Sequence, residues 1–263
     1  MNNNQISDLG KGERLILWLP LIGGAAFGIL PLFPPFFAAL FGFSGNDPFI
    51  YQLAGAATFG YVIPLWCAIS GKVSWKEIKL VIVATLTFNI VSLYACISAI
   101  VAGNAQWVVY AILLVSIGII AITSSLLKKH MSASESVRDV RSGAIIFLKI
   151  ATFAALVFGV LPLFSKFSAP LFGYLGTDKF LYDQAGAATL GYVVMGILEI
   201  RSRNFTEIRL PVLMAGIFNG VSFVVSVYQI IVGNGSLLVY LIAPASLAFT
   251  IGLAKIYKKS ALA

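Results

Sequence analysis

The chain has 263 residues, of which 59% are hydrophobic and 11% charged, with a net charge of +8 and a mean hydropathy of +0.95. Soluble domains carry about 25% charged residues, and disordered chains are more polar still, so both classes are excluded. The basic residues sit in short segments between apolar runs and form no basic face with interleaved aromatics, which points to membrane orientation and away from nucleic acid.

In chain order, apolar runs predict helices at Leu15–Phe33, Phe49–Ser70, Ile78–Ala102 and Gln106–Leu127, then at Ala144–Phe164, Phe180–Ile200, Ile208–Val232 and Ser236–Ile256. Each is about 19–25 residues long, enough to cross a bilayer with some tilt. Backbone amides in lipid must pair within the protein, and the runs are too continuously apolar for the alternation of a membrane β-barrel. The predicted fold class is therefore all-α transmembrane, with eight helices. Lys11 and Arg14 followed by an apolar run have the look of a signal peptide. The same place in the second half of the chain is filled by Ala144–Phe164, which predicts a retained helix.

The two sets of four helices are a tandem duplication. Residues 28–62 read GILPLFPPFFAALFGFSGNDPFIYQLAGAATFGYV, and residues 159–193 read GVLPLFSKFSAPLFGYLGTDKFLYDQAGAATLGYV. Roughly 22 of about 35 positions are identical without a gap, and such repeats govern the reading of a whole fold. After a one-residue slip the match continues, pairing Trp75-Lys76-Glu77-Ile78 with Phe205-Thr206-Glu207-Ile208 and Phe88-Asn89 with Phe218-Asn219. This divides the chain into a first repeat with its N-terminal tail, 1–131, a polar linker, 132–143, and a second repeat with its C-terminal tail, 144–263. His130, the only histidine, stands beside the linker, where a contact with anionic headgroups is expected.

Charge orients the bundle. With eight crossings, Lys11, Arg14, Lys72, Lys76, Lys79, Lys128, Lys129, Arg138, Arg141, Lys149, Arg201, Arg203, Arg209, Lys255, Lys258 and Lys259 share one side, and Lys166 and Lys179 lie on the other. The positive-inside rule then places both termini in the cytoplasm of a cell (plasma) membrane. An even number of spans per copy gives both copies one orientation, so a pseudo-two-fold axis along the membrane normal is expected between parallel repeats.

Between the first two helices, Pro34 to Gly42 predicts a short interfacial helix, started by proline and ended by glycine, with Ser165 to Gly173 as its twin. Asp47 and Asp178 then stand before helical segments as caps. Gly55, Ala56 and Gly60, matched by Gly186, Ala187 and Gly191, form small-residue faces that let helices approach closely in lipid. These faces are expected to pack helices two and six, against each other across the axis. Glu199 lies near the cytoplasmic end of helix six beside Arg201 and Arg203, which suggests a headgroup-level ion pair.

Asn89 and Asn219 fall near mid-helix, where a primary amide needs partners, and Ser92 and Ser222 follow one turn later. Thr58, Tyr61, Thr189 and Tyr192 add polar atoms from neighbouring helices. Two readings stand side by side: hydrogen bonds between helices, or a midplane site between the repeats for a small neutral or lipophilic ligand. No catalytic motif, paired intramembrane carboxylates or intramembrane histidine occurs. Cys67 and Cys96 lie in apolar runs, so no enzyme, metal or cofactor is expected. Membrane lipids are the expected partners. The alternative to a solute-binding protein is a structural or assembly subunit that engages another protein or a second copy of itself.

Overall fold

The computed structural model describes residues 9–71, 73–130, 142–202 and 205–261. Lys72, Arg203 and most of the expected linker, with Arg138 and Arg141, lie outside these. Among the described residues every regular element is helical: α1 (Lys11–Ile16), α2 (Trp18–Ile29), α3 (Pro34–Phe41), α4 (Pro48–Phe59), α5 (Val62–Ile69), α6 (Trp75–Val101), α7 (Trp107–Lys129), α8 (Ser142–Leu163), α9 (Ser165–Leu171), α10 (Lys179–Arg201), α11 (Phe205–Ile231) and α12 (Leu237–Ala261).

Among the described residues seven stretches are long and apolar enough to cross a bilayer, with α1 and α2 joined as Lys11–Leu32 and α4 and α5 joined as Pro48–Ile69. The chain is a multi-pass membrane protein. The segment expected at Phe180–Ile200 is helical over 23 residues but is not among the seven apolar ones. It carries Lys179, Asp183, Glu199 and Arg201. Its buried residues include Asp183 and Glu199, so other helices rather than lipid surround those two carboxyls.

Prolines explain where the two halves differ. Pro64 has no N–H to offer the Gly60 carbonyl, and the helix breaks between α4 and α5. Met195 stands at the equivalent place, and α10 runs on unbroken. Pro20 likewise follows the break at Leu17 between α1 and α2, where α8 has Ala151 and continues. The expected interfacial helix is α3, with prolines in its first turn and Gly42 at its end in the left-handed region, φ 78°.

The packing order does not follow the chain. One row of neighbours runs α2, α4, α11, α12; the other runs α8, α10, α6, α7. The rows meet through α4 against α10 and α6 against α11. Each row therefore combines the first two helices of one half with the last two of the other.

Contacts at both ends and in the middle join the halves, beside the Gln229–Gln52 amide bond at 2.8 Å. At one end Asp47 and Asp178 reach into the opposite half, described below. In the middle Tyr61 donates to the Ala188 carbonyl at 2.9 Å, and Tyr192 to the Ala57 carbonyl at 2.8 Å. At the other end Arg209 pairs with Glu77 at 3.3 Å and Lys76 with Glu207 at 3.9 Å. Nearby, Glu13 takes His130 Nε2 and Lys129 Nζ, both at 2.8 Å, while Trp75 stacks on the His130 ring. The expected headgroup contact of His130 is thus replaced by a protein one, which ties α1 to the end of α7.

Candidate functional site

Two cavities lie between the rows, one toward each end of them. The first, about 70 Å³, is walled by α2, α4, α6, α7 and the start of α10. The second, about 120 Å³, is walled by α8, α10, α11 and α12, with Ile50 and Leu53 of α4. The eight polar candidates divide between them. Thr58, Tyr61, Asn89 and Ser92 line the first, and Thr189, Tyr192, Asn219 and Ser222 line the second. The candidates expected to converge between the repeats thus line two cavities, one on each quartet.

An aromatic wall separates them. Phe88, Tyr61, Tyr192 and Phe218 follow one another with ring centroids 5.4, 5.2 and 4.9 Å apart. Phe88 and Tyr61 face the first cavity, Tyr192 and Phe218 the second. Tyr61 N turns to the Thr58 carbonyl at the helix break, and the Ala57 carbonyl takes the Tyr192 hydroxyl. Both phenols are thereby satisfied at full burial, which fixes the rings edge to face.

The asparagines do not bridge helices. Asn89 Nδ2 donates to the Thr85 carbonyl and Asn219 Nδ2 to the Ala215 carbonyl, each 2.8 Å away and one turn back on its own helix. That geometry departs from the interhelical reading, because a backbone carbonyl lies within reach of the amide inside the helix. Ser92 does reach another helix, donating to Gln184 Oε1 at 2.9 Å, and Ser116 joins it at 3.4 Å. Ser222 Oγ is buried without a hydrogen-bond partner. Thr189 donates to the Ala185 carbonyl at 2.8 Å. At the cavity's far end Tyr174 meets Ser236 Oγ at 2.5 Å, and burial pushes its phenol up to about 12, so it stays protonated.

The small residues serve two different neighbours. A Cβ on Gly55 would lie 2.8 Å from the Gly28 carbonyl on α2, and one on Gly186 would lie 2.8 Å from the Gly159 carbonyl on α8. Gly60 and Gly191 face the opposite half instead. A Cβ on Gly60 would collide with the Tyr192 hydroxyl and approach the Met214 carbonyl to 2.9 Å; one on Gly191 would collide with the Tyr61 hydroxyl and approach the Ala84 carbonyl to 2.7 Å. Ala56 and Ala187 are wholly buried. The expectation of one face meeting its twin is corrected to two faces, because five residues of helix turn Gly55 and Gly60 toward different neighbours.

Asp47 and Asp178 stand at the N-cap positions of α4 and α10, yet neither side chain caps its own helix. Asp47 accepts from Leu175 N, Gly176 N and the Tyr182 hydroxyl at 3.0, 2.8 and 2.8 Å. Asp178 accepts from Ser44 N and Oγ, Gly45 N and the Tyr51 hydroxyl at 2.9, 2.6, 3.1 and 2.5 Å. Each carboxylate thus holds the other half's loop. Consecutive backbone N–H groups beside a left-handed glycine make an anion-binding concavity more complete than a helix end alone.

Glu199 is likewise not where the sequence suggested. It is 3% exposed, lines the second cavity and pairs with no described cation. Ala185, Thr189, Tyr192, Gly196 and Glu199 all line that cavity, and their spacing of three and four marks one helix face. That periodicity was the available signal for Glu199, and proximity to Arg201 the misleading one; Arg203 lies outside the described residues.

Comparison with protein-family models, curated proteins and solved structures finds no match.

Proposed function

We propose that the protein binds or passes a small neutral or lipophilic solute, without catalysis, in two corresponding cavities, one on each repeat's quartet. The observation that carries this is the matched lining: Thr58 and Thr189, Tyr61 and Tyr192, Asn89 and Asn219, Ser92 and Ser222 occupy corresponding places in two mainly apolar cavities. Interiors pack with few voids larger than water, and solute sites are concave, apolar and punctuated by a few polar groups.

The framework inferred beneath it is eight crossings, with α10 as the sixth, in two parallel repeats about a pseudo-two-fold axis. In its support, three contacts between the halves come in matched pairs: Asp47 and Asp178, Tyr61 and Tyr192, Gly60 and Gly191 act on each other's surroundings in turn, while the Ser92–Gln184 and Gln52–Gln229 bonds stand without a twin. A two-fold axis produces that exchange, since i meets j wherever j meets i. The excess of lysine and arginine on one side supports a cell-membrane orientation with both termini in the cytoplasm. The aromatic wall directs any crossing solute along one cavity, not from one to the other.

Asn89→Leu with Asn219→Leu tests the reading. Each amide bonds only within its helix here, so leucine removes no bond between helices. The melting midpoint is expected to move by less than about 3 °C. Occupancy by a co-purifying small molecule, read by native mass spectrometry, is expected to fall at least about fivefold. Unchanged occupancy would remove the quartets from the binding site. Empty cavities beside a stoichiometric protein partner would favour a structural subunit.

A further inference from the structure

The two cavities are not chemically equal. Glu199 lines the second, and the equivalent residue in the first half is Ala68, which lines neither. Glu199 is 3% exposed, and its Oε1 is buried without a hydrogen-bond partner. Among the described residues no lysine, arginine or histidine lines the cavity, so none of its described lining groups answers a carboxylate. A buried charge without a partner is costly, and a lone carboxyl among apolar walls is far from the oxygen cage that a divalent metal requires. The missing counter-charge is a place for a ligand's own.

The surroundings narrow its class. Thr152 on α8 packs against Gly196, one turn before Glu199, and donates its proton to the Leu148 carbonyl at 2.7 Å. Its oxygen can then only accept, as does the Glu199 carboxylate once a cation beside it keeps it ionised. An ammonium offers donors and no acceptor, which matches both. Phe158, Phe218 and Phe249 line the same space and suit a cation's flank or a hydrocarbon body. Along α10 the lining runs from Tyr182 to Glu199, about 25 Å at the α-helical rise, which accommodates an extended chain. Phe147 fills the position over Gly252 beside Phe249, where α8 meets α12, and elsewhere those two helices scarcely touch. That seam is a lateral way in from lipid.

We infer that the second cavity binds a monocationic amphiphile, an aliphatic amine whose ammonium sits on Glu199 and Thr152 and whose hydrocarbon body lies between α8, α10, α11 and α12. This deepens the reading of the cavities as solute sites and rests on it. The first cavity, without an acid, takes uncharged solutes.

The full chain in phosphatidylcholine nanodiscs, photolabelled with diazirine-bearing dodecylamine or with the matching dodecanol and mapped by mass spectrometry, tests it. The amine is expected to label the second-cavity segments around Phe158 and Phe249 at least about tenfold more than the alcohol, and Glu199→Gln to erase that preference. Labelling around Phe27 and Val115 in the first cavity should show no preference and no response to the substitution. Equal labelling of the second cavity by both probes, or a preference that survives Glu199→Gln, overturns the amine site while leaving the cavities as solute sites. Failure of both probes to enter either cavity removes both conclusions. If the variant does not fold, the comparison of amine with alcohol on the unaltered protein decides alone.

Discussion

Gly60→Leu and Gly191→Leu are each expected to lower the melting midpoint in detergent by more than about 10 °C, on the order of 4 kcal/mol or above. The obstacle is backbone as well as side chain. A Cβ at Gly60 meets the Met214 carbonyl at 2.9 Å, and one at Gly191 meets the Ala84 carbonyl at 2.7 Å, beyond the tyrosine hydroxyl that each would strike. A leucine has no rotamer that escapes a clash made by its first carbon, so α4 would have to leave α11, or α10 leave α6. A double-mutant cycle gives the mechanism its sharper test. Tyr192→Phe alone should cost about 1 kcal/mol, the worth of one buried hydrogen bond to the Ala57 carbonyl. Combined with Gly60→Ala it should cost less than the two changes summed, because the lost hydroxyl is the atom that the new methyl strikes. The cycle of Gly191→Ala with Tyr61→Phe should behave alike. Strict additivity in both, measured by thermal unfolding, would show that the tyrosines do not set the approach of the helices.

Much of this arrangement was legible before any coordinates. Long apolar runs announce helices because lipid leaves the backbone no other partner, and the ungapped match of residues 28–62 with 159–193 announces that two stretches of chain take the same local form. The eight polar candidates were also legible, since mid-helix amides and hydroxyls stand out in an apolar run. Their division into two cavities was not. Hydropathy orders residues along a helix and carries no information on which helix is its neighbour. The interleaving of α6 with α10 and α11 with α4 therefore could not be read from it. Asn89 illustrates the limit: its need for a partner was evident, but the partner proved to be the Thr85 carbonyl one turn back. Pro64 and Pro20 were visible as residues that cannot donate, though the breaks they cause show only when set beside Met195 and Ala151 in continuous helices. At Asp47 the local signature of a cap was present and the side chain still went elsewhere, because the loop of the other half offers it two amides and a phenol.

Asp47→Ala and Asp178→Ala are each expected to lower stability by about 3–5 kcal/mol, since a truncated carboxylate leaves a cluster of donors buried and unanswered. The burial supports the size: Asp47 is 2% exposed and Asp178 9% exposed. Asparagine should rescue little. In Asp178 one oxygen faces Ser44 N and the other faces Ser44 Oγ, Gly45 N and Tyr51, so an amide nitrogen in either place meets a donor. The same holds for Asp47, between Leu175 N on one side and Gly176 N with Tyr182 on the other. Glycine supports the geometry at Gly45 and Gly176, whose φ values of 71° and 68° let two successive amides converge on one anion. The two carboxylates also close one joint, each holding the loop from which the other projects. Once Asp47 is gone the loop around residues 175–176 is loose, and Asp178 two residues on is no longer held in place for residues 44–45. The double alanine variant should therefore be less destabilised than the sum of the single ones, by at least about 1 kcal/mol. Thermal unfolding of the three variants measures this. A double variant at the full sum would mean that two independent latches, and not one reciprocal joint, hold the halves together at this end of the bundle.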